Sequence, residues 1–266
     1  MTLISYLGPK GTFSHDAAKL VGEDLVSCCG IPAVFENVFN GETELGVVPI
    51  ENSIEGSVGI TLDSLARFDL KICREIIIPI NQNLIVNPGC TMDDISEVYS
   101  HAQALAQCQG FISKHNLKSN FSGSTANACK NIIGDKSKAA IGNANAVNVY
   151  GLEILRENIQ DTNNNETKFI VISKKANKFT GNDKTSIVFS IYEDKPGELY
   201  RILGFFQNNN INLTKIESRP SKKGLGKYLF FVDFEGHADE DLIKNIISKI
   251  EENTYFLKVL GSYPQF

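Results

Sequence analysis

A polar stretch, Lys174 to Lys184 (KKANKFTGNDK), separates two parts of a 266-residue chain that have different rhythms. So few apolar side chains cannot feed a core, and the stretch reads as a linker. At about 150 residues per domain the length alone allows one large domain or two modest ones. The break decides for two, with expected boundaries at 1–176, 177–184 and 185–266.

Before the break, short apolar runs alternate with helical patterns. Leu3–Leu7, Ala33–Phe35, Leu45–Pro49, Ile72–Ile78, Leu84–Asn87, Glu97–Ser100, Ala139–Gly142 and Phe169–Ser173 read as strands, mostly bounded by Gly, Pro, Asn or Ser. Ser14–Leu20, Val58–Phe68 and Gln103–His115 carry helical spacing, and Ser124 or Thr125 is a natural N-cap for another helix. Strands alternating with helices imply an α/β domain with largely parallel sheets. After the break, the expected order is Thr185–Tyr192 (strand), Pro196–Asn208 (helix, Pro196 near N1), Ile211–Ser218 and Lys227–Gly236 (strands), Glu240–Glu251 (helix) and Phe256–Leu260 (strand). Pro220–Gly226 reads as the turn between the middle strands. This βαββαβ order is the ferredoxin-like unit.

Composition narrows the function classes. The net charge is −5, without a basic tract, so nucleic acid and anionic membrane surfaces are poor partners. Apolar clusters such as Ile76–Ile78 fall far short of the roughly 20 residues that cross a bilayer. The N-terminus lacks the basic and apolar regions of a signal peptide, so a cytoplasmic protein is expected. The six cysteines all precede residue 130 and form no CxxC pair, which favours reduced, mostly buried thiols. His15, His101, His115 and His237 show no metal-ligand spacing, and no metal is expected.

Several stretches carry possible chemistry. Gly8–Ser14 is a glycine-punctuated turn from strand to helix: a backbone anion nest or a plain tight turn. Gly46–Ser57 (GVVPIENSIEGS) is a buried strand that ends in a polar loop of small residues, where open α/β sheets place ligands. Asn52 and Ser53 offer neutral donors there. Glu51 or Glu55 could be a general acid, against the plainer reading of a loop-fixing carboxylate. Asp161–Phe169 (DTNNNETKF) enters the last strand of the first domain, and Thr167 on spacing alone is an ordinary β-branched strand residue.

Together with Ser100–Cys108 (SHAQALAQC) and Ile216–Pro220 (IESRP), these stretches make the chain resemble prephenate dehydratase in its monofunctional form, over essentially its whole length and in the right order. The resemblance implies decarboxylating dehydration of prephenate to phenylpyruvate, without a cofactor. It implies a catalytic domain of two α/β lobes around a cleft, like a periplasmic solute-binding protein, followed by an ACT domain that binds L-phenylalanine as feedback inhibitor. It also implies pairing through the ACT domains into dimers or tetramers.

By the same resemblance, Thr167 would donate to the leaving oxygen, Lys168 would hold a substrate carboxylate and Phe169 would wall the pocket. Thr12, Phe13, Asn52, Ser53, Gly56, Ser57, Ser124 and Thr125 would bind substrate, and His101 and Gln103 would support either fold or function. Pro196, Gly197, Glu198 and Leu199, with Glu217, Ser218, Arg219 and Pro220, would form the phenylalanine site. The chain departs from the family in Lys168, where Arg is usual, in Ala102, where Pro is usual, and in Glu198, where Ala is commoner. A point charge in place of a planar fork predicts weaker substrate binding at Lys168. The first strand begins at Leu3, so an N-terminal mutase domain is not expected. Two alternatives stay open: arogenate as substrate, and an amino-acid sensor of the same fold.

Overall fold

A computed structural model describes residues 2–193, 195–221 and 227–265. Residues 222–226, and with them most of the expected Pro220–Gly226 turn, lie outside the described residues.

The first lobe contains β1 (Ile4–Leu7), α1 (Phe13–Lys19), β2 (Leu25–Cys28), α2 (Ile31–Asn40), β3 (Leu45–Asn52), β4 (Gly56–Ser57), α3 (Gly59–Arg67) and β5 (Lys71–Pro79). The second contains β6 (Asn83–Val86), β7 (Glu97–Ser100), α4 (Ala102–Gln107), α5 (Gln109–Lys114), β8 (Lys118–Phe121), α6 (Thr125–Ile132), β9 (Lys138–Gly142), α7 (Asn145–Tyr150) and β10 (Glu153–Arg156). The chain then returns to the first lobe as β11 (Glu166–Ser173), between β3 and β5 in the order β2-β1-β3-β11-β5. The second sheet runs β10-β6-β9-β7-β8. Two crossings therefore join the lobes, and they are tied together: Ile80 N–H donates to Asn165 O at 2.8 Å, and Ile159 N–H to Gln82 O at 2.8 Å. This is the two-lobed α/β arrangement that the resemblance implies.

Both sheets are mixed rather than largely parallel. β1 is parallel to β2 and β3, but the returning β11 is antiparallel to both of its neighbours. The expected strand Ala33–Phe35 lies inside α2. Ile31, Val34, Phe35 and Val38 are all buried at helical spacing, Pro32 occupies the first turn, and Gly41 closes the helix in the left-handed conformation. A short apolar triplet does not separate strand from helix, whereas the wider spacing does. Gln103–His115 forms two short helices that meet at Cys108, not one. β2, β8 and β10 had no clear apolar alternation and escape the sequence reading.

The third sheet comprises β12 (Asp183–Ser190), β13 (Leu213–Pro220), β14 (Tyr228–Glu235) and β15 (Phe256–Pro264), in antiparallel order β13-β14-β12-β15. With α8 (Glu198–Gln207) and α9 (Asp241–Glu252) it forms the βαββαβ unit. Pro196 is not at N1; α8 starts at Glu198 behind Gly197, whose φ of +90° suits glycine. Both faces of its central strands are covered. Ile187, Phe189, Val232 and Phe234 pack under Ile202, Phe206, Ile243 and Ile246 of the helices. The alternate residues Val188 and Phe231, with Leu260 and Tyr263, join the first lobe's core beside Leu65, Leu70 and Ile72. The βαββαβ unit is thus continuous with the first lobe through a shared core. No helix of the described residues is long and apolar enough to cross a membrane.

Candidate active site

The main cleft, about 690 Å³, opens between the two lobes. Three helices begin at its wall. Thr12 caps α1 by accepting from His15 N–H at 3.3 Å, His101 Nδ1 caps α4 by accepting from Gln103 N–H at 3.4 Å, and Ser124 caps α6 by accepting from Asn127 N–H at 3.0 Å. The remaining amides of each first turn lack intrahelical acceptors, and the polarity there favours an anion. Gly8, which precedes a cis bond to Pro9, passes so close to Ser27 that a Cβ would collide with its hydroxyl. A side chain there would force the Ser27 hydroxyl aside and crowd Cys28 O at 3.2 Å.

At the base lie Thr167 and Asn52, register partners on β11 and β3 and both largely buried, with Thr167 9% exposed. Asn52 Nδ2 donates to Thr167 Oγ1 at 2.9 Å and to Asn165 Oδ1 at 2.7 Å. Asn52 Oδ1 accepts from the N–H groups of Ile54 and Glu55 at 3.0 and 3.1 Å. The amide is held at both ends and cannot turn over. Thr167 Oγ1 therefore acts as an acceptor toward Asn52, which leaves its own proton free to donate into the cleft. Asn165 Nδ2 continues the chain to Gln107 Oε1 at 3.1 Å, carrying it across to α4 of the second lobe.

The pleat of β11 splits the three residues that the resemblance places in catalysis. Thr167 lines the cleft. Lys168 points from the opposite face, where its Nζ lies 3.9 Å from both Glu51 and Glu75. Phe169 is 2% exposed and packs below the cleft with Tyr6, Ala17 and Ile76. Neither Lys168 nor Phe169 reaches the cleft, so the expected grip of Lys168 on a substrate carboxylate is corrected. Neighbours on a strand face opposite sides, which turns Lys168 away; Phe169 shares the face of Thr167 but lies further along β11, under the core of Tyr6 and Ala17.

Thr12, Phe13, Asn52, Ser124 and Thr125 do line the cleft, as do His101 and Gln103. Ser53, Gly56 and Ser57 do not. Ser53 Oγ accepts from Glu166 N–H at 2.9 Å and donates to Asn164 O at 3.2 Å, which stitches the loop to β11. Gly56 is exposed, and Ser57 turns toward Glu217 of β13. Glu51 also faces β13, where Lys215 Nζ lies 3.0 Å away. Burial pushes the Glu51 carboxyl up, but the Lys215 hydrogen bond and the charges of Lys215, Lys168 and Lys184 outweigh it and hold Glu51 below its ordinary range.

Ser27, Cys28, Cys29, Gln82 and Gln107 also line the cleft without having been singled out as site residues. For the first three the signal was a missed strand: they end β2, and strand ends are where such sheets place ligands. No Lys, Arg, Asp or Glu is among the described residues that line the cleft. Hydroxyls, side-chain amides, His101 and three helix N-termini line the cleft instead.

The residues expected to hold phenylalanine are spread over two elements. Pro196 to Leu199 form the entry to α8, where Glu198 pairs with Arg201 at 2.7 Å. Glu217 and Arg219 on β13 face the first lobe: Ser57 donates to Glu217, and Arg219 grips Asp63 at 3.1–3.2 Å. Ser218 lies on the opposite, exposed face of β13, and Pro220 ends the strand.

Residues 4–177 match the family described as prephenate dehydratase, and residues 185–252 match the ACT domain. The chain belongs to the prephenate dehydratase family. The prephenate dehydratase of Methanocaldococcus jannaschii is 46% identical over 275 residues, covering 99% of this chain and 98% of that protein. The bifunctional chorismate mutase/prephenate dehydratase of Aquifex aeolicus is 45% identical over 267 residues, 98% of this chain and 73% of its own length. A prephenate dehydratase from Arthrobacter aurescens, solved in complex with L-Phe, superposes with a TM-score of 0.90 at 33% identity, over 99% of this chain and 90% of that one. Prephenate dehydratase membership makes this cleft, with the Thr167 hydroxyl oriented by Asn52 at its base, the natural place to look for the chemistry.

Proposed function

We propose that this chain converts prephenate to phenylpyruvate, CO2 and water in L-phenylalanine synthesis, with Thr167 as the proton donor. Prephenate carries a ring carboxylate, a keto acid side chain and a ring hydroxyl. The bond from the ring carboxylate breaks, its electron pair enters the ring, and the hydroxyl leaves from the far end as the ring becomes aromatic. One proton is taken up as hydroxide leaves as water. Thr167 supplies the hydrogen bond to that oxygen, and solvent restores its proton.

Aromatisation drives the reaction, so placing substrate and donor suffices, and general-acid help is worth roughly 10²–10⁴-fold. The observation that carries this reading is the Asn52-to-Thr167 hydrogen bond, which occupies one acceptor position of the hydroxyl and leaves its proton for the substrate. The first turn of α6, with Ser124 and Thr125, is placed to take a carboxylate, and Phe13 and Ile80 supply apolar wall.

The lining also favours prephenate over arogenate. Arogenate carries an ammonium group, which calls for a carboxylate, and none is among the described lining residues. A pure sensor would need no oriented hydroxyl at its base. L-phenylalanine is the proposed feedback inhibitor at the ACT domain. Pairing through that domain into dimers or tetramers is supported by the free edge of β13 and by exposed Ile216 and Tyr228. A cytoplasmic location fits a biosynthetic enzyme.

The test is incubation with prephenate and, separately, arogenate, with and without phenylalanine. Phenylpyruvate that disappears in Thr167→Ala and falls with phenylalanine is the expected result. A wild-type protein inert toward both substrates would end the enzyme reading.

A further inference from the structure

β3 and β11 carry two adjacent register pairs, Asn52 with Thr167 and Glu51 with Lys168. The first pair faces the cleft. The second faces the ACT sheet, whose edge strand β13 directs Lys215, Glu217 and Arg219 inward and leaves Ile216 and Ser218 outward. Lys215 Nζ sits at the centre of this contact. It lies 3.0 Å from Glu51 Oε2, 3.0 Å from Ser57 Oγ and 3.5 Å from Glu217 Oε2, and its side chain is 14% exposed. Glu51 and Ser57 are themselves register partners across β3 and β4. One ammonium group thus holds both strands of the hairpin whose tip is organised by Asn52.

We infer that Lys215 is a positioning residue for the dehydration: from the ACT domain it fixes the β3–β4 hairpin, with Glu51 as the handle, so that the neighbouring Asn52 presents its amide to Thr167. The inference rests on the proposed function and extends it to the regulatory domain. A strand is nearly inextensible, so a displacement at Glu51 is delivered to Asn52, the next residue. The Asn52–Thr167 bond depends steeply on distance and angle. Lys215 also separates the Glu51 and Glu217 carboxylates. Without it they repel across the domain boundary, while Lys168, 3.9 Å from Glu51, offsets part of the Glu51 charge but makes none of the contacts of Lys215 with Ser57 and Glu217. Any ligand of the ACT domain that shifts β13 thereby reaches the catalytic hydroxyl without touching the cleft. The coupling needs only a different β13 position in the two ligand states.

The test uses full-length protein and prephenate, with phenylalanine affinity measured separately by calorimetry. Lys215→Met is expected to lower kcat roughly 10- to 100-fold, the scale of a misplaced reacting group, with KM little changed. Phenylalanine should still bind, yet inhibit the residual rate less. Lys215→Arg keeps the charge and should restore most of kcat. Glu51→Gln should reproduce the Lys215→Met loss, and the two together should cost no more than either alone, which keeps the test open if Lys215→Met folds poorly. Asp63→Asn weakens the neighbouring Arg219 contact between the same domains and should leave kcat within about twofold, as expected of a change away from the reacting groups.

The inference is overturned if Lys215→Met keeps wild-type kcat and full inhibition. It is equally overturned if Asp63→Asn loses as much kcat, because general loosening of the interface then explains both. A wild-type protein that fails to turn over prephenate would instead sink the proposed function.

Discussion

Replacing Thr167 with Val tests the site at its centre. Val keeps the β-branched shape that the strand favours and removes only the hydroxyl. Asn52 Nδ2 loses its 2.9 Å contact but keeps Asn165 Oδ1 at 2.7 Å and Glu166 O at 3.1 Å. No buried donor is orphaned, so the stability cost stays near that of one hydrogen bond, about 1 kcal/mol. The rate cost is much larger. Loss of a general acid lowers kcat by roughly 10²–10⁴-fold, or roughly 3–5 kcal/mol of transition-state stabilisation. The assay is the initial rate of phenylpyruvate formation at saturating prephenate, alongside a thermal melt. Thr167→Ser should retain much of the rate. Asn52→Asp provides a sharper arm, because a carboxylate oxygen in place of the amide nitrogen accepts the Thr167 proton and turns it away from the cleft. A Thr167→Val enzyme that keeps more than about a tenth of kcat would refute the donor role, since a lost general acid costs at least ten times more than that.

Three further outcomes follow from the geometry. Lys168→Arg should leave KM for prephenate within about twofold, since the side chain lies outside the cleft; a clear fall in KM would restore the carboxylate role suggested by resemblance. N-ethylmaleimide should label Cys29 first and abolish activity, with protection by substrate, because Cys29 is exposed on the cleft wall while burial pushes the Cys73 thiol up to about 11 and those of Cys108 and Cys129 up to about 12. Early labelling at a second cysteine, checked by peptide mass spectrometry, would count against this. Burial, and then the charge of Lys19, lowers the pKa of His15 from its ordinary 6.5, and its Nδ1 accepts from Gly11 N–H at 3.3 Å. The unfolded chain binds the proton first, so the contribution of neutral His15 is complete above pH 6.5 and is lost as pH falls through the lower folded value. Melting curves from pH 8 to 5 should show a loss that His15→Gln reduces.

Much of the fold was legible because its signals are local. The βαββαβ order of the last part and the cap Ser124 depend on nearby residues, although Asp183 and Lys184, read as linker, already belong to β12 and are buried. Local signals also misled. Ala33–Phe35 is apolar enough for a strand, and only Ile31 and Val38 on either side reveal the helix. Leu25–Cys28 lacks a strong pattern, and missing it hid the cleft positions of Cys28 and Cys29.

The sequence by itself determined the family, the two-part division and the presence of Thr167 and Asn52 in the right motifs. It could not say which face of a strand meets the cleft. Thr167 and Lys168 are adjacent in sequence, yet the pleat sends one to the cleft and the other toward Glu51 and Glu75. Alternation along a strand is a sequence property; which of the two faces is the cleft depends on what packs against the sheet. The same holds for the ACT sheet. Its apolar pattern predicts a buried face, but only the tertiary structure covers the other face with the first lobe and brings Lys215 against Glu51, which is 164 residues away in sequence.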